Sequence, residues 1–452
     1  MPKFILSSMY LFLKQIIQKV FGNNSKILLF LKKVKRKSYL PFYYIIYFKY
    51  RYKVKHLKKV DRVLNVLFLV IHHSVWKYEV LYKLMKNHKA FNPIVLVIPN
   101  IGFDNDTMIK DMNSTFSFFK EKGYNVLKSY NESLSSWISI KEMKPDLIMF
   151  TNPYSGLTKP EYFVNKLTNY LTYYIPYAYN HEERHELNFN QKMHNLVFCY
   201  VVESEFHKKL ACKYSDVNGI NVKPLGYPGI DELLFPKIPI LPSSWKTSNK
   251  KRIIWAPHHT IEPEENIYNY SNFLEYAPIM IELAKAFQNH LEISFKPHPL
   301  LKPKLYKTPS WGVEKTDEYY HIWGNMPNGH VNESDYIDLF LTSDAIIHDS
   351  GSFLVEYLCV NKPALYQIRN IKIKDGLGEI GKQALDCHYK AYSKDDVINF
   401  IDNVVLKETD ELKINREAFV KQFLSPLNNK CASENIMEDI CKTLNISYFF
   451  RC

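Results

Sequence analysis

Four short constellations in this 452-residue chain hold the side chains that could do chemistry. Trp255-Ala256-Pro257-His258-His259-Thr260 and Ser294-Phe295-Lys296-Pro297-His298-Pro299 each place histidine directly after a short apolar run. Prolines fix the backbone on both sides of His298, which favours a positioned imidazole. Such a group, beside a lysine, has the tunable proton affinity that general acid–base work requires. In the third, Ala345-Ile346-Ile347 leads through His348-Asp349-Ser350-Gly351-Ser352 into Phe353-Leu354-Val355-Glu356. That reads as a strand end, a small-residue turn and a helix start. Backbone amides there, with the Ser350 and Ser352 hydroxyls, would suit a diphosphate, although a plain serine cap gives the same pattern. Glu356, one helical turn beyond Ser352, could accept hydrogen bonds from ribose hydroxyls. The fourth is Asn180-His181-Glu182-Glu183-Arg184-His185. Its His181 or Glu183 could serve an acceptor hydroxyl, or the run could simply solvate a helix start.

The surrounding pattern supplies the scaffold. Continuous apolar runs at 66–71, 94–98, 147–150 and 196–202 alternate with helix-like stretches near 76–88 and 106–122. Short buried runs alternating with helices predict an open, parallel, doubly wound α/β sheet. The run Pro236-Lys237-Ile238-Pro239-Ile240-Leu241-Pro242-Ser243-Ser244 breaks the alternation and reads as a linker. Strand-like runs then restart at 253–255, 291–295, 345–347 and 364–366, with a long helix over 271–290. Two such halves in tandem predict a ligand cleft between them, faced by strand C-termini.

Composition narrows the function. At 46% hydrophobic and 15% aromatic, the chain can bury full cores, so global disorder is excluded. The net charge of +13 is carried by the first 60 residues, which hold 15 Lys and Arg and no acidic residue. The remainder, 44 basic against 46 acidic, is close to neutral, which argues against a nucleic-acid partner. In the basic segment, apolar patches at 4–6, 10–13, 16–21, 27–31 and 39–48 are punctuated by Lys and Arg. None is long enough to span a bilayer; they suit an anionic membrane surface, or alternatively a basic helical cap on the first domain. The seven cysteines form no CxxC pair, so no zinc site or disulfide framework is indicated. No DxD or His/Asp cluster stands out either, and no obligatory metal or cofactor is expected. The expected organisation is a membrane-associating extension over 1–60, an acceptor domain over 61–240, a nucleotide-donor domain over 241–430, and a tail over 431–452.

Read in order, several of these stretches resemble the CDP-glycerol glycerophosphotransferases of teichoic-acid and capsule assembly. They are Gly226-Tyr227-Pro228-Gly229-Ile230-Asp231, Ile254-Trp255-Ala256-Pro257, Phe295-Lys296-Pro297-His298, and Asp344 to Ser352 followed by Asn361-Lys362-Pro363. The resemblance spans roughly residues 61–430 and implies a GT-B fold of two Rossmann-like domains facing a cleft. It further implies attack of an acceptor hydroxyl on the β-phosphorus of a CDP-polyol, CDP-glycerol being favoured, with release of CMP. One histidine from each domain would flank the phosphate. His298 maps onto that of the second domain, and His181 stands nearest the position in the first, where the family's His-Gly-Thr-Pro-Leu-Lys motif is absent. His258-His259 stands where the family commonly has Thr-Trp. The expected donor set is His258, His259, Thr260, Lys296, Ser350, Gly351, Ser352 and Glu356, with His181, Glu183 and His298 as the reacting groups. The acceptor would be lipid-linked or glycan, at the cytoplasmic face of the cell membrane. Glycosyltransferases using CMP- or UDP-linked sugars share the fold and a similar Lys/Arg-x-His-Pro element, which keeps that reading open.

Overall fold

The computed structural model describes residues 26–236, 245–246, 249–262, 268–333, 336–425 and 427–448, with side chains from residue 39 onward. The apolar patches before residue 25, the side chains of the 27–31 patch, the linker run 237–244 and residues 449–452 lie outside the described residues.

The apolar runs form two parallel sheets. The first contains β1 (Leu64–Val70), β2 (Phe91–Val97), β3 (Val126–Lys128), β4 (Leu147–Phe150), β5 (Leu171–Tyr174), β6 (Cys199–Val202) and β7 (Val222–Pro224). Their spatial order is β3-β2-β1-β4-β5-β6-β7. The second contains β8 (Lys251–Ala256), β9 (Leu291–Phe295), β10 (Gly329–Val331), β11 (Ala345–His348), β12 (Ala364–Gln367) and β13 (Tyr389–Ala391), in the order β10-β9-β8-β11-β12-β13. Val66 to Val70 and Leu147 to Phe150 are all buried, as strands covered on both faces must be. In each sheet the strand order reverses once, between β1 and β4 and between β8 and β11. In open α/β sheets a ligand crevice forms at such a point, outside the strand C-termini. The loop carrying His258 follows β8, and the Asp349–Ser352 turn follows β11, so two of the motifs stand at the switch point of the second sheet.

Helices tie this scaffold together. Helix α1 (Lys26–Leu57) buries Tyr43, Ile46, Tyr50 and Leu57, one face of its cylinder, in the first core. The Tyr50 hydroxyl donates to the Leu196 carbonyl at 2.8 Å and lies 2.7 Å from Thr172 Oγ1, so its burial leaves no polar group unpaired. Helices α2 (Glu79–Lys86) and α3 (Asn105–Glu121) cover the first sheet, and α4 (Phe273–Ala286) covers the second. The last helix, α5 (Ala432–Leu444), returns to the first core through Ile436, Met437, Ile440 and Leu444.

The Gly226–Asp231 turn anchors that return. The Asp231 carboxylate accepts the amides of Ala432 (2.8 Å) and Ser433 (2.9 Å), filling two of the donors that a helix start leaves open. Gly226 sits at φ +101°, and a Cβ there would stand 2.7 Å from that of Ala432. Only glycine fits both demands. Asp231→Ala should strand two buried amides and cost about 1–3 kcal/mol. Urea unfolding checks this; an unchanged midpoint would remove the anchoring role.

Candidate functional site

A cavity of about 480 Å³ lies between the two sheets. The second domain lines it with His258, His259, Thr260, His298, Gly351 and Ser352, and the first with His181 and its neighbours. Five strand-end loops thus bring most of the sequence-derived site together.

His181 is the most sharply defined group. Its Nδ1 lies 2.9 Å from the Tyr179 carbonyl oxygen, which can only accept, so Nδ1 carries the proton. Nε2 is left with its lone pair, buried and without a hydrogen-bond partner. A Cβ on Gly351 would stand 3.6 Å from that Nε2, so the lone pair faces the small-residue turn of the other domain. Buried Glu203, just after β6, holds the loop by accepting the backbone amide (2.8 Å) and Nδ2 (2.6 Å) of Asn180.

The second domain clasps the same loop from the opposite side. Glu182 bridges to Leu377, and the amide of Gly378 donates to the His181 carbonyl at 2.9 Å. A Cβ on Gly381 would come within 2.3 Å of that carbonyl oxygen, so absence of a side chain permits the approach. Tyr270 donates to Glu182 at 2.7 Å, and Arg184 stacks 3.3 Å over the Tyr268 ring.

Facing His181, the rings of His258, His259 and His298 cluster with centroids 4.2–5.0 Å apart. Burial, His259 and nearby lysines push the His298 imidazole down to about 3. Burial and Lys304 push His259 down to about 4, and burial holds His258 well below its ordinary value. These are neutral rings at neutral pH. Each offers a ring nitrogen within 4.8 Å of the other two, the one such triad among the described residues. The Leu300 amide donates to His298 Nδ1 at 3.1 Å, however, which leaves the proton on Nε2. An N–H directed at the ligand suits a phosphate oxygen better than a metal ion, which needs a lone pair.

Four expected site residues are placed otherwise. Glu356 is fully buried, its oxygens held by Tyr227 (2.9 Å) and Tyr336 (2.6 Å) with Lys77 at 3.9 Å. It braces the two domains instead. Glu183 turns outward, half exposed beside His185 at 3.1 Å, and Glu182 takes its place on the wall. Lys296 is buried behind His298 with its Nζ toward Asn332 (3.3 Å), adding positive potential without lining the cavity. Ser350 is also buried, its amide donating to His348 Nδ1. Sequence reading missed Asp349, which accepts the amides of His258 (2.5 Å) and Asn272 (2.7 Å) and so fixes the histidine loop to the start of α4. It also missed His72, after β1, paired with Asp111 at 3.2 Å and close enough to His298 to depress its basicity. A strand-end His72-His73 pair was the available signal.

Tandem Rossmann sheets with strand-end loops meeting across a cleft define a GT-B fold. The family described as CDP-glycerol:poly(glycerophosphate) glycerophosphotransferase matches residues 175–442, more than half of the chain, and the chain belongs to that family. A histidine-to-asparagine variant of the wall teichoic acid polymerase TagF shares the fold, with TM-score 0.56 and 15% identity, over 93% of this chain and 100% of that one. A TagF crystal soaked with CDPG gives 0.52 and 15%, over 93% and 98%. S. aureus MnaA with UDP gives 0.53 and 14%, over 86% and 99%. Among curated proteins none matches the chain.

Burial pushes the Asp349 carboxyl up to about 7 from 3.8. The native state therefore holds this proton more tightly than the unfolded chain does. Its contribution to stability is full below 3.8 and is lost as pH rises through about 7. Between about pH 5 and pH 8, the melting temperature of Asp349→Asn should fall less than that of the unaltered protein. Parallel slopes in calorimetry would contradict this.

Proposed function

We propose that this chain transfers glycerophosphate from CDP-glycerol to a hydroxyl of a membrane-linked glycan or polyol-phosphate acceptor, releasing CMP, in cell-surface polymer synthesis. The observation that carries the reading is the unpartnered His181 Nε2, a base with a fixed tautomer, facing a turn and three histidines of the other domain. The acceptor hydroxyl gives its proton to His181 Nε2 as its oxygen bonds to the β-phosphorus. The bond from that phosphorus to the bridging oxygen breaks, and CMP leaves with the electron pair. The Nε2–H of His298 and the amides around Gly351 and Ser352 meet the charge that accumulates on the phosphate oxygens, with Lys296 and Lys304 behind the imidazoles. None of these steps needs a metal ion.

His181→Ala should lower kcat for CMP release by at least about 100-fold, the scale of general acid–base catalysis, with CDP-glycerol binding kept. Isothermal titration and a CMP-release assay read the two separately. CMP release from CDP-glycerol left intact by the substitution, or nucleotide release only from CMP- or UDP-linked sugars, would overturn the reading.

The same proposal places the enzyme on the inner face of the cell membrane. Among the described residues no helix is long and apolar enough to cross a bilayer. The outer face of α1 instead exposes Tyr44, Ile45, Phe48 and Tyr52 beside Lys49, Arg51 and Lys55. Apolar rings among cations suit insertion into an anionic leaflet, each cation adding about 1 kcal/mol. Phe48→Glu with Tyr52→Glu should reduce partition into phosphatidylglycerol vesicles by about tenfold or more. Equal sedimentation of both proteins with those vesicles would refute surface binding by this face.

A further inference from the structure

One buried carboxylate is tied to both walls of the cleft. The backbone amide of Glu356 donates to the Ser352 carbonyl at 3.3 Å, so this residue moves with the Gly351–Ser352 turn. Its Oε2 accepts the Tyr336 hydroxyl at 2.6 Å, and that hydroxyl accepts the Lys77 ammonium at 2.6 Å. Lys77 belongs to the first domain, between β1 and α2. Its Nζ lies 3.9 Å from Oε2 and 4.3 Å from the centre of the Tyr336 ring. The other oxygen, Oε1, accepts the Tyr227 hydroxyl at 2.9 Å, and the same hydroxyl stands 3.0 Å from the Tyr177 carbonyl. Tyr177 lies just before His181 on the same loop. A Cβ on Gly229 would collide with the Tyr227 ring, so that glycine makes room for the bridging phenol.

The two oxygens therefore hold two separate loops of the first domain. One reaches the loop after β1, and the other reaches the loop that carries the base. A buried carboxylate engaged at both oxygens tolerates little movement, because shifting either partner leaves a charge or a hydroxyl unpaired out of water. Lys77, Tyr227, Tyr336 and Glu356 do not line the cavity, so what they do to a bound molecule they do through His181 and the turn.

Resting on the transfer reading above, we infer that Lys77 and Glu356 are positioning residues for the reaction, fixing the distance between His181 Nε2 and the Gly351–Ser352 turn. The donor is gripped by the second domain alone and keeps its affinity when the contact is broken. The rate does not, because the base then stands out of register with the phosphorus.

The test uses the full chain with CDP-glycerol and, as acceptor, either an alkyl-linked disaccharide or an alkyl-linked glycerol-phosphate oligomer. Lys77→Met should lower kcat for CMP release by about tenfold to a hundredfold, the scale of a displacement near 1 Å, with KM for CDP-glycerol unchanged. Turnover is counted per CDP-glycerol site measured by titration, so loss of folded protein does not imitate the effect. Lys77→Arg, which keeps the charge, should recover most of the loss. Combining Lys77→Met with Glu356→Gln should cost no more than the worse single change, since both act through one contact. Hydrogen exchange at the Gly378 amide, which donates to the His181 carbonyl, should quicken about tenfold in Lys77→Met while β1 amides keep their protection. An unchanged kcat per site, losses that multiply, or unchanged exchange at Gly378 would overturn the inference. If Lys77→Met does not fold, Tyr336→Phe removes only the bridging oxygen and should show the same split. No CMP release by the unaltered protein with either acceptor would count against the transfer reading, and exchange at Gly378 still decides the positioning role.

Discussion

The His181 carbonyl accepts an amide from Gly378, across the gap between two domains that each fold around their own core. Everything the site can do depends on that contact. An imidazole whose loop belongs to the first sheet must face a space bounded by loops of the second, and in such sites a displacement of about 1 Å can cost two orders of magnitude in rate. The bridge from Glu182 to Leu377 and the missing side chain at Gly381 make the approach close enough. The Tyr179 carbonyl then sets the tautomer, so one loop receives its position from the far domain and its protonation state from itself.

Buried carboxylates hold this arrangement in register, at an electrostatic cost. Asp349, Asp231 and Glu356 each lie within a few percent of full burial. Removing such a group from water costs several kcal/mol unless its lone pairs are filled. Asp349 is filled by two backbone amides, Asp231 by two at a helix start, and Glu356 by two tyrosine hydroxyls with Lys77 nearby. In each case the donors come from parts of the chain far apart in sequence. These acids act as junctions between elements, and the cleft inherits its shape from them.

The cleft is also divided by charge. Cations stand behind the wall where a diphosphate would lie, and the opposite wall is aromatic and amide-lined with its one arginine already paired. Depressed proton affinity in His258, His259 and His298 follows first from burial, and then from neighbouring histidines for His258 and His298 and from Lys304 for His259. Neutral donors of this kind can meet an anion without first carrying a charge of their own into a desolvated space.

Local pattern was enough to locate most of the frame and part of the site. Long apolar runs such as 66–71 and 147–150 are strands because only burial on both faces tolerates them, and motifs directly after strands must lie along one edge of a parallel sheet. That is why His258, His259, Thr260, His298 and the Gly351–Ser352 turn were legible. Edge strands of three residues, such as Val126–Lys128 and Tyr389–Ala391, carry too little apolar pattern to announce themselves. Neither neighbour spacing nor residue type could separate Glu182 from Glu183, or show that Glu356 faces inward to Lys77 and Tyr336. Those outcomes depend on which atoms the folded chain brings within reach, over separations of 20 to 279 residues. Sequence by itself determined two doubly wound halves, a basic acid-free start and a set of strand-end histidines. Only the tertiary structure decided which of those groups share a cavity, because loops remote in sequence meet only once both halves are folded and packed together.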